Sequence, residues 1–230
     1  MKILLTNDDG VHAEGLLELT KYLEKNHDVW VVAPNKNRSG VSHGITMTEP
    51  LRFCELDKQR FSCSGVPVDC TFNGIKGILD EKPDIVISGI NKGPNLGTDI
   101  IFSGTAAAAR QSSFYNIPGI AVSLASFDGS WNYSSLADFV SKNLDSLVTL
   151  CEQDIFVNIK AVKKDGLRTL NAPDGNLYSF FLGGDVESFG DDDSDEKAVS
   201  EGYISISRVL SQPVSIKTDL QMQESLCLTL

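Results

Sequence analysis

The chain has 230 residues, 41% of them hydrophobic, which suits one domain, or one domain with an appendage, built on a core of ordinary size. A net charge of −11 argues against a general surface for nucleic-acid polymers or anionic membranes, both of which need basic patches, and no apolar run approaches the roughly 20 residues of a membrane span. The start carries no secretory signal, and Cys54, Cys63, Cys70, Cys151 and Cys227 show neither CxxC spacing nor a His cluster, so reduced thiols and a cytoplasmic location are expected.

The first predicted element is Ile3-Leu4-Leu5, an apolar run without polar alternation, which reads as a parallel strand buried on both faces. It ends in Thr6, Asn7 and two adjacent acids, Asp8 and Asp9, ahead of Gly10. The carboxyl end of such a strand is where an open α/β sheet places its ligands. Adjacent acids repel, and a hard divalent cation would reverse that cost; a solvated Asp-Asp-Gly turn is the plainer alternative.

Residues 11–25 put Leu16, Leu19 and Leu23 on one helical face, and 29–33 form a second buried strand, which together make a βαβ unit. A polar loop spans 34–42. Residues 43–63 read as extended β structure broken at Glu49-Pro50, and 68–79 as a helix weakened by Asn73-Gly74 and Gly77. Residues 83–87 form a third strand that ends in Ser88-Gly89-Ile90-Asn91. A long Gly- and Asn-rich loop leads to a helix over 106–111, then a strand over 118–123 and a helix over 136–150. Beyond Cys151 the texture changes. Residues 155–159 read as a strand, and 177–183 and 203–209 alternate like antiparallel strands. Residues 185–196 form an acidic surface loop. It is no EF-hand, because Glu196 stands where that loop needs Gly. Residues 213–230 carry a weak amphipathic helix pattern.

Three loops thus leave the carboxyl ends of three predicted parallel strands, bearing Asp8-Asp9, Ser39-Gly40 and Asn91. Two carboxylates, a hydroxyl and an amide carbonyl are all oxygen donors, the set a hard cation takes, with positions left for water and a phosphate.

These blocks are TNDDG at 6–10, APNKNRSG at 33–40, SGINKGPNLGTD at 88–99 and SGT at 103–105. With ITMTEPLR from Ile45, SGVPVDC at 64–70 and GYISIS at 202–207, they resemble, in order along nearly the whole chain, the signature blocks of the SurE family of metal-dependent nucleoside monophosphate phosphatases. The resemblance implies a Rossmann-like, doubly wound, mostly parallel α/β core over 1–150, with the β excursion at about 43–63. It implies that 151–230 completes the core and carries a hairpin extension that builds a homodimer or homotetramer. It implies one Mg²⁺ or Mn²⁺ per subunit on Asp8, Asp9, Ser39 and Asn91. The activity it implies is hydrolysis of nucleoside 5′-monophosphates, of 3′-monophosphates, and of short polyphosphate. Phe102 stands where the family commonly has Tyr, Gln111 where it has Glu, and Gly93-Pro94-Asn95 where it has Gly-Ala-Asn; these bear on substrate preference and loop shape, not on the metal.

A phosphate monoester is a dianion, and a cation beside it stabilises the charge that attack builds on its oxygens. Asp8, Asp9 and Asn91 are the expected catalytic residues, with Asn91 touching both metal and phosphate. Gly40 offers an N–H that approaches a phosphate oxygen. Ser103-Gly104-Thr105 precedes a run of four alanines, so it is expected to start a helix whose free amides and two hydroxyls cradle phosphate. Asn7 and Asn95 complete the expected substrate-binding set. His12 and His43 are candidates to protonate the leaving alkoxide, against the plainer reading of structural histidines; His27 reads as structural. The residues assign no general base. A dinucleotide-dependent oxidoreductase would need G-x-G-x-x-G after the first strand, which NDDGVHAEG lacks. A module that binds metal and nucleotide without turnover would use the same groups as the enzyme.

Overall fold

The computed structural model describes residues 1–126, 131–161, 166–171, 177–182, 195–200 and 204–212. Its strands are β1 (Lys2–Thr6), β2 (Asp28–Pro34), β3 (Phe53–Asp57), β4 (Arg60–Cys63), β5 (Ile85–Lys92), β6 (Gly119–Leu124), β7 (Ile155–Ala161), β8 (Gly166–Asn171), β9 (Leu177–Leu182) and β10 (Ile204–Leu210). Its helices are α1 (Glu14–Leu23), α2 (Pro67–Asn73), α3 (Gly104–Ser113), α4 (Tyr133–Thr149) and α5 (Asp195–Ser200). The main sheet runs β10-β7-β6-β5-β1-β2-β4-β3, while β8 and β9 form a separate antiparallel ribbon. All neighbours in the main sheet are parallel except the two edge strands, β10 on β7 and β3 on β4.

The apolar run of β1 explains its central place. Ile3 and Leu5 point into one layer with α1 and α4, alongside Leu16, Leu19, Val140 and Leu144. Leu4 points the other way, onto Cys70, Val86 and Ile117. Ala106 and Ala109 of α3 pack on Ala121 and Phe156 on that second face. Both faces are covered, so polar alternation would bury polar groups at a cost.

The chain leaves β1 toward β2 and later returns to pair β5 on the other side of β1. That reversal creates the crevice in which open α/β sheets bind ligands. Asp8 leaves β1 there, and Asn91 arrives on β5. The expected third strand therefore runs further than 83–87 suggests and includes Asn91 itself. Its ladder to β6 slips between Ser88 and Asn91. Gly89 allows this, with φ at +140° and room for no Cβ, which would meet the Val122 carbonyl oxygen at 2.3 Å.

Other expectations shift at their edges. Extended pairing in the 43–63 stretch begins only at Phe53. The Thr46 amide and hydroxyl are instead bound by Asp69 at 3.0 and 2.7 Å, and Pro50 lacks an N–H for a ladder. The expected helix over 68–79 is α2 followed by one π-helical turn, Gly74–Ile78. The acidic stretch overlaps α5, because Asp195 and Glu196 are helical; residues 185–194 and 213–230 lie outside the described residues. Among the described residues, no helix is long and apolar enough to cross a membrane.

One close approach locks α1 against β5. A Cβ on Gly15 would sit 2.1 Å from the Ile90 carbonyl oxygen. Gly15→Ala should therefore lower stability by about 1–3 kcal/mol, the cost of overpacking, although Ala is the better helix former. Urea unfolding checks this; a midpoint at or above that of the wild type would contradict the contact.

Candidate functional site

The carboxyl ends of β1, β2 and β5 meet over a cavity of about 560 Å³. Its lining includes Asp8, Ser39, Gly40, Asn91, Asn95, Asp99, Phe102 and Ser103. The loop after β2 is docked onto the β1 turn through the Arg38 amide, which donates to the Asp8 carbonyl at 2.7 Å. It is docked onto the rim through Ser42, whose amide donates to the Phe102 carbonyl at 2.9 Å and whose hydroxyl donates to that of Ile101 at 2.6 Å.

Asp8 is only 3% exposed. Its Oδ1 accepts the Thr105 hydroxyl at 2.6 Å. Burial pushes its carboxyl up to about 6, opposed by the Thr105 hydroxyl, with the charge of Asp9 adding to the rise. Asp9 is raised too, chiefly by burial, with the Lys92 amide and charge working the other way. Its Oδ2 accepts the Lys92 amide at 2.8 Å and its Oδ1 the Asn37 side chain at 3.2 Å. The Lys92 ammonium itself leans over the Trp131 ring, 5.2 Å from its centre. Two carboxylates are thus held side by side and fixed in place by amides and a hydroxyl.

Asn91 donates its Nδ2 to the Gly93 carbonyl at 2.8 Å, which leaves Oδ1 as the atom to offer a ligand. Ser39 is exposed at the cavity edge, its amide tied to the Asn37 side chain at 2.9 Å. Gly40 has φ at +75° with open space where a Cβ would stand. These placements bring Asp8, Asp9, Ser39, Gly40 and Asn91 to one place. The donor set is all oxygen, which fits a hard divalent cation. Among the described residues, no cluster of three or more His, Cys, Asp or Glu offers an alternative metal site.

Ser103 is the N-cap of α3, its Oγ accepting the Ala106 amide at 3.0 Å, so its own proton remains to donate. Gly104 lies tight against Asp8, where a Cβ would come within 2.9 Å of the Asp8 Cβ. Thr105 departs from expectation. Its hydroxyl is directed at Asp8 and not at the cavity, because a buried carboxylate at a helix start takes the nearest donors. Asn7 departs as well. It is fully buried, donating Nδ2 to the Gly10 carbonyl at 2.9 Å and accepting the Gly10 amide at 3.2 Å. That makes it the brace of the Asp-Asp turn, buried away from the cavity surface. Asn95 lies on the cavity wall with Nδ2 on the Ser123 hydroxyl at 2.6 Å.

Neither candidate histidine lines the cavity. His43 is half-buried against Phe114 with Nε2 on Gln111 Oε1 at 2.8 Å, and burial lowers its pKa. His12 faces Arg60, 3.5 Å from its guanidinium. His27 lies near the chain's amino terminus at 3.5 Å. Sequence reasoning missed Asp99 as a lining residue and the Lys92 amide as a partner of Asp9, while Phe102, flagged only as a departure bearing on substrate preference, lines the cavity as well. The signal for the first two was proximity alone, since both lie within the 88–105 segment already singled out.

A family model described as Survival protein SurE matches residues 3–179. The 5′-nucleotidase SurE of Treponema pallidum (strain Nichols) is 47% identical over 168 residues, 70% of this chain and 90% of that protein. The 5′-nucleotidase SurE of Desulfitobacterium hafniense (strain DSM 10664 / DCB-2) is 39% identical, covering 99% of this chain and 98% of that one. The crystal structure of the SurE protein from Aquifex aeolicus superposes with a TM-score of 0.81 at 29% identity, covering 98% of each chain.

The Thr105 hydrogen bond has a measurable worth. Thr105→Ala should cost about 1.5–3 kcal/mol in denaturant unfolding at pH 7, the range for a bond to a charged group, and Thr105→Ser should keep most of it. Equal midpoints for the Ala and Ser variants would show that Asp8 does not depend on this hydroxyl.

Proposed function

The chain belongs to the SurE family, and on that premise we propose that it is a 5′-nucleotidase, a phosphomonoesterase that works on nucleoside 5′-monophosphates with one divalent cation. The observation that carries this reading is the adjacent pair Asp8 and Asp9, with Asp8 buried on a cavity that also presents Ser39, Asn91 and Ser103 at the start of α3, and Asp9 half-buried beside it. Asp8, Asp9, Ser39 Oγ and Asn91 Oδ1 would hold Mg²⁺ or Mn²⁺, since both accept oxygen donors. When bound, the cation neutralises the phosphate dianion and the charge that develops on it, and activates the attacking water.

The residues of the chain position the ester. Ser103 donates its free hydroxyl proton to a phosphate oxygen. The Gly104 amide at the start of α3 and the Gly40 N–H add donors without adding charge, which suits an acidic protein. Thr105, Asn37 and the Lys92 amide keep the two carboxylates pointed at the cation. Phe102 and Pro94 give the outer cavity wall an apolar surface for the nucleoside. Recognition centred on phosphate supports the wider substrate range, 3′-monophosphates and short polyphosphate. The working form is a homodimer or homotetramer in the cytoplasm. What supports the assembly is β10, an edge strand that turns Ile204, Ile206 and Leu210 outward.

The test is phosphate release from AMP, 3′-AMP and tripolyphosphate by the purified protein, with Mn²⁺ and after EDTA treatment. Release should require the metal. Asp9→Asn should keep the fold and lose about a hundredfold or more in kcat/KM, the scale of one transition-state electrostatic contact. Equal rates with Mn²⁺ and EDTA would sink the metal assignment; Mn²⁺-dependent AMP binding with no phosphate released would make the protein a binding module.

A further inference from the structure

Asp195 opens α5, on a stretch whose acids read as solvated. Its carboxylate forms an ion pair with Lys160 Nζ, and its Oδ2 also accepts the Gly97 amide at 3.3 Å. Lys160 lies on β7 and is 1% exposed. A buried ammonium is costly unless a charge answers it, so the pairing fixes where Asp195 sits. Asn158 stands two residues earlier on the same face of β7, fully buried, and donates Nδ2 to the Asn95 carbonyl at 3.3 Å. Asn95 in turn holds Ser123 of β6. The loop between β5 and α3 is therefore gripped from below by β6, β7 and α5.

Gly97 begins the 3₁₀ turn Gly97–Ile101, and the first amide of such a turn has no acceptor inside it. Asp195 supplies that acceptor, and with it a negative charge at the turn's positive end. The turn leads directly into Phe102 and Ser103 and carries Asp99, all three on the cavity wall. We propose that Asp195 is a positioning residue of the site: anchored by Lys160, it holds the Gly97 amide and so sets the Asp99–Ser103 rim against which substrate binds. The inference rests on the phosphomonoesterase reading only for what the rim binds.

Amide hydrogen exchange over residues 93–103 reads the positioning without turnover, and KM and kcat for AMP read its consequence. In Asp195→Ala, exchange over 93–103 should quicken about fivefold or more, the scale of one lost hydrogen bond, while β1 and α1 stay at wild-type rates. KM should rise by a similar factor with kcat within about twofold, the pattern of a lost binding contact. Asp195→Asn keeps an acceptor oxygen for the Gly97 amide but not the charge that answers Lys160, so it should fall between the wild type and Asp195→Ala in both. Should Asp195→Ala not fold, the pair Lys160→Met with Asp195→Leu replaces it, since neither member of the ion pair is then left without the other. The inference is overturned if exchange over 93–103 stays at wild type, if it quickens with KM unchanged, or if the acceleration spreads evenly through the sheet. Local acceleration in a protein whose wild type releases no phosphate from AMP supports the positioning and overturns the phosphatase reading instead.

Discussion

Two neighbouring carboxylates at the end of a central strand, Asp8 buried and Asp9 half-buried, set the terms for everything around them. Each one alone is disfavoured as a charge by burial, and the charge of Asp9 raises the cost at Asp8 further. The surrounding chain answers with donors that carry little or no charge: the Thr105 hydroxyl and the start of α3 at Asp8, the Lys92 amide and Asn37 at Asp9. Those contacts orient the pair without neutralising it. On the proposed function a divalent cation would complete the balance, and Ser39 and Asn91, which line the same cavity, would share it through their oxygen atoms.

The fold makes this arrangement by topology. β1 is flanked by β2 and β5, so three loops from three strands converge at the point where the winding reverses. Close packing then fixes the distances. α1 approaches β5 at Gly15, β5 slips against β6 at Gly89, and Gly104 brings α3 against Asp8. None of these positions has room for a Cβ, which would meet a backbone carbonyl at Gly15 and Gly89 and the Asp8 side chain at Gly104. The polar residues under the outer loop, Asn95, Ser123, Asn158 and the Lys160–Asp195 pair, extend the same logic into the C-terminal part of the chain.

Much of this was legible in the amino-acid sequence. The unbroken apolar run of β1 announced a strand covered on both faces, and the acids after it stand at the end of that strand where the cavity opens. The βαβ unit and the helix start at Ser103 followed from periodicity and capping. What escaped was pairing between segments distant in sequence. Asn7 looks like a donor for substrate until its amide is seen closing on Gly10. Thr105 looks like a phosphate ligand until Asp8 is found beside it, 97 residues away in the chain. Asp195 sits in a run of acids that composition reads as solvent-facing, and only the buried Lys160 singles it out. Residues 43–52 alternate like a strand, yet Asp69 takes the backbone and side chain of Thr46 out of any ladder. Local pattern carries the elements; the partner of a polar side chain is a property of the tertiary fold.

The central claim is that Asp8 and Asp9 share one cation with Asn91 and Ser39. Diffraction from crystals grown with Mn²⁺, recorded where manganese scatters anomalously, tests it most directly. The account predicts a single anomalous peak in the cavity, in contact with a carboxylate oxygen of each aspartate and with Asn91 Oδ1. A peak bound elsewhere, or an ordered cavity with no peak at saturating Mn²⁺, would contradict it.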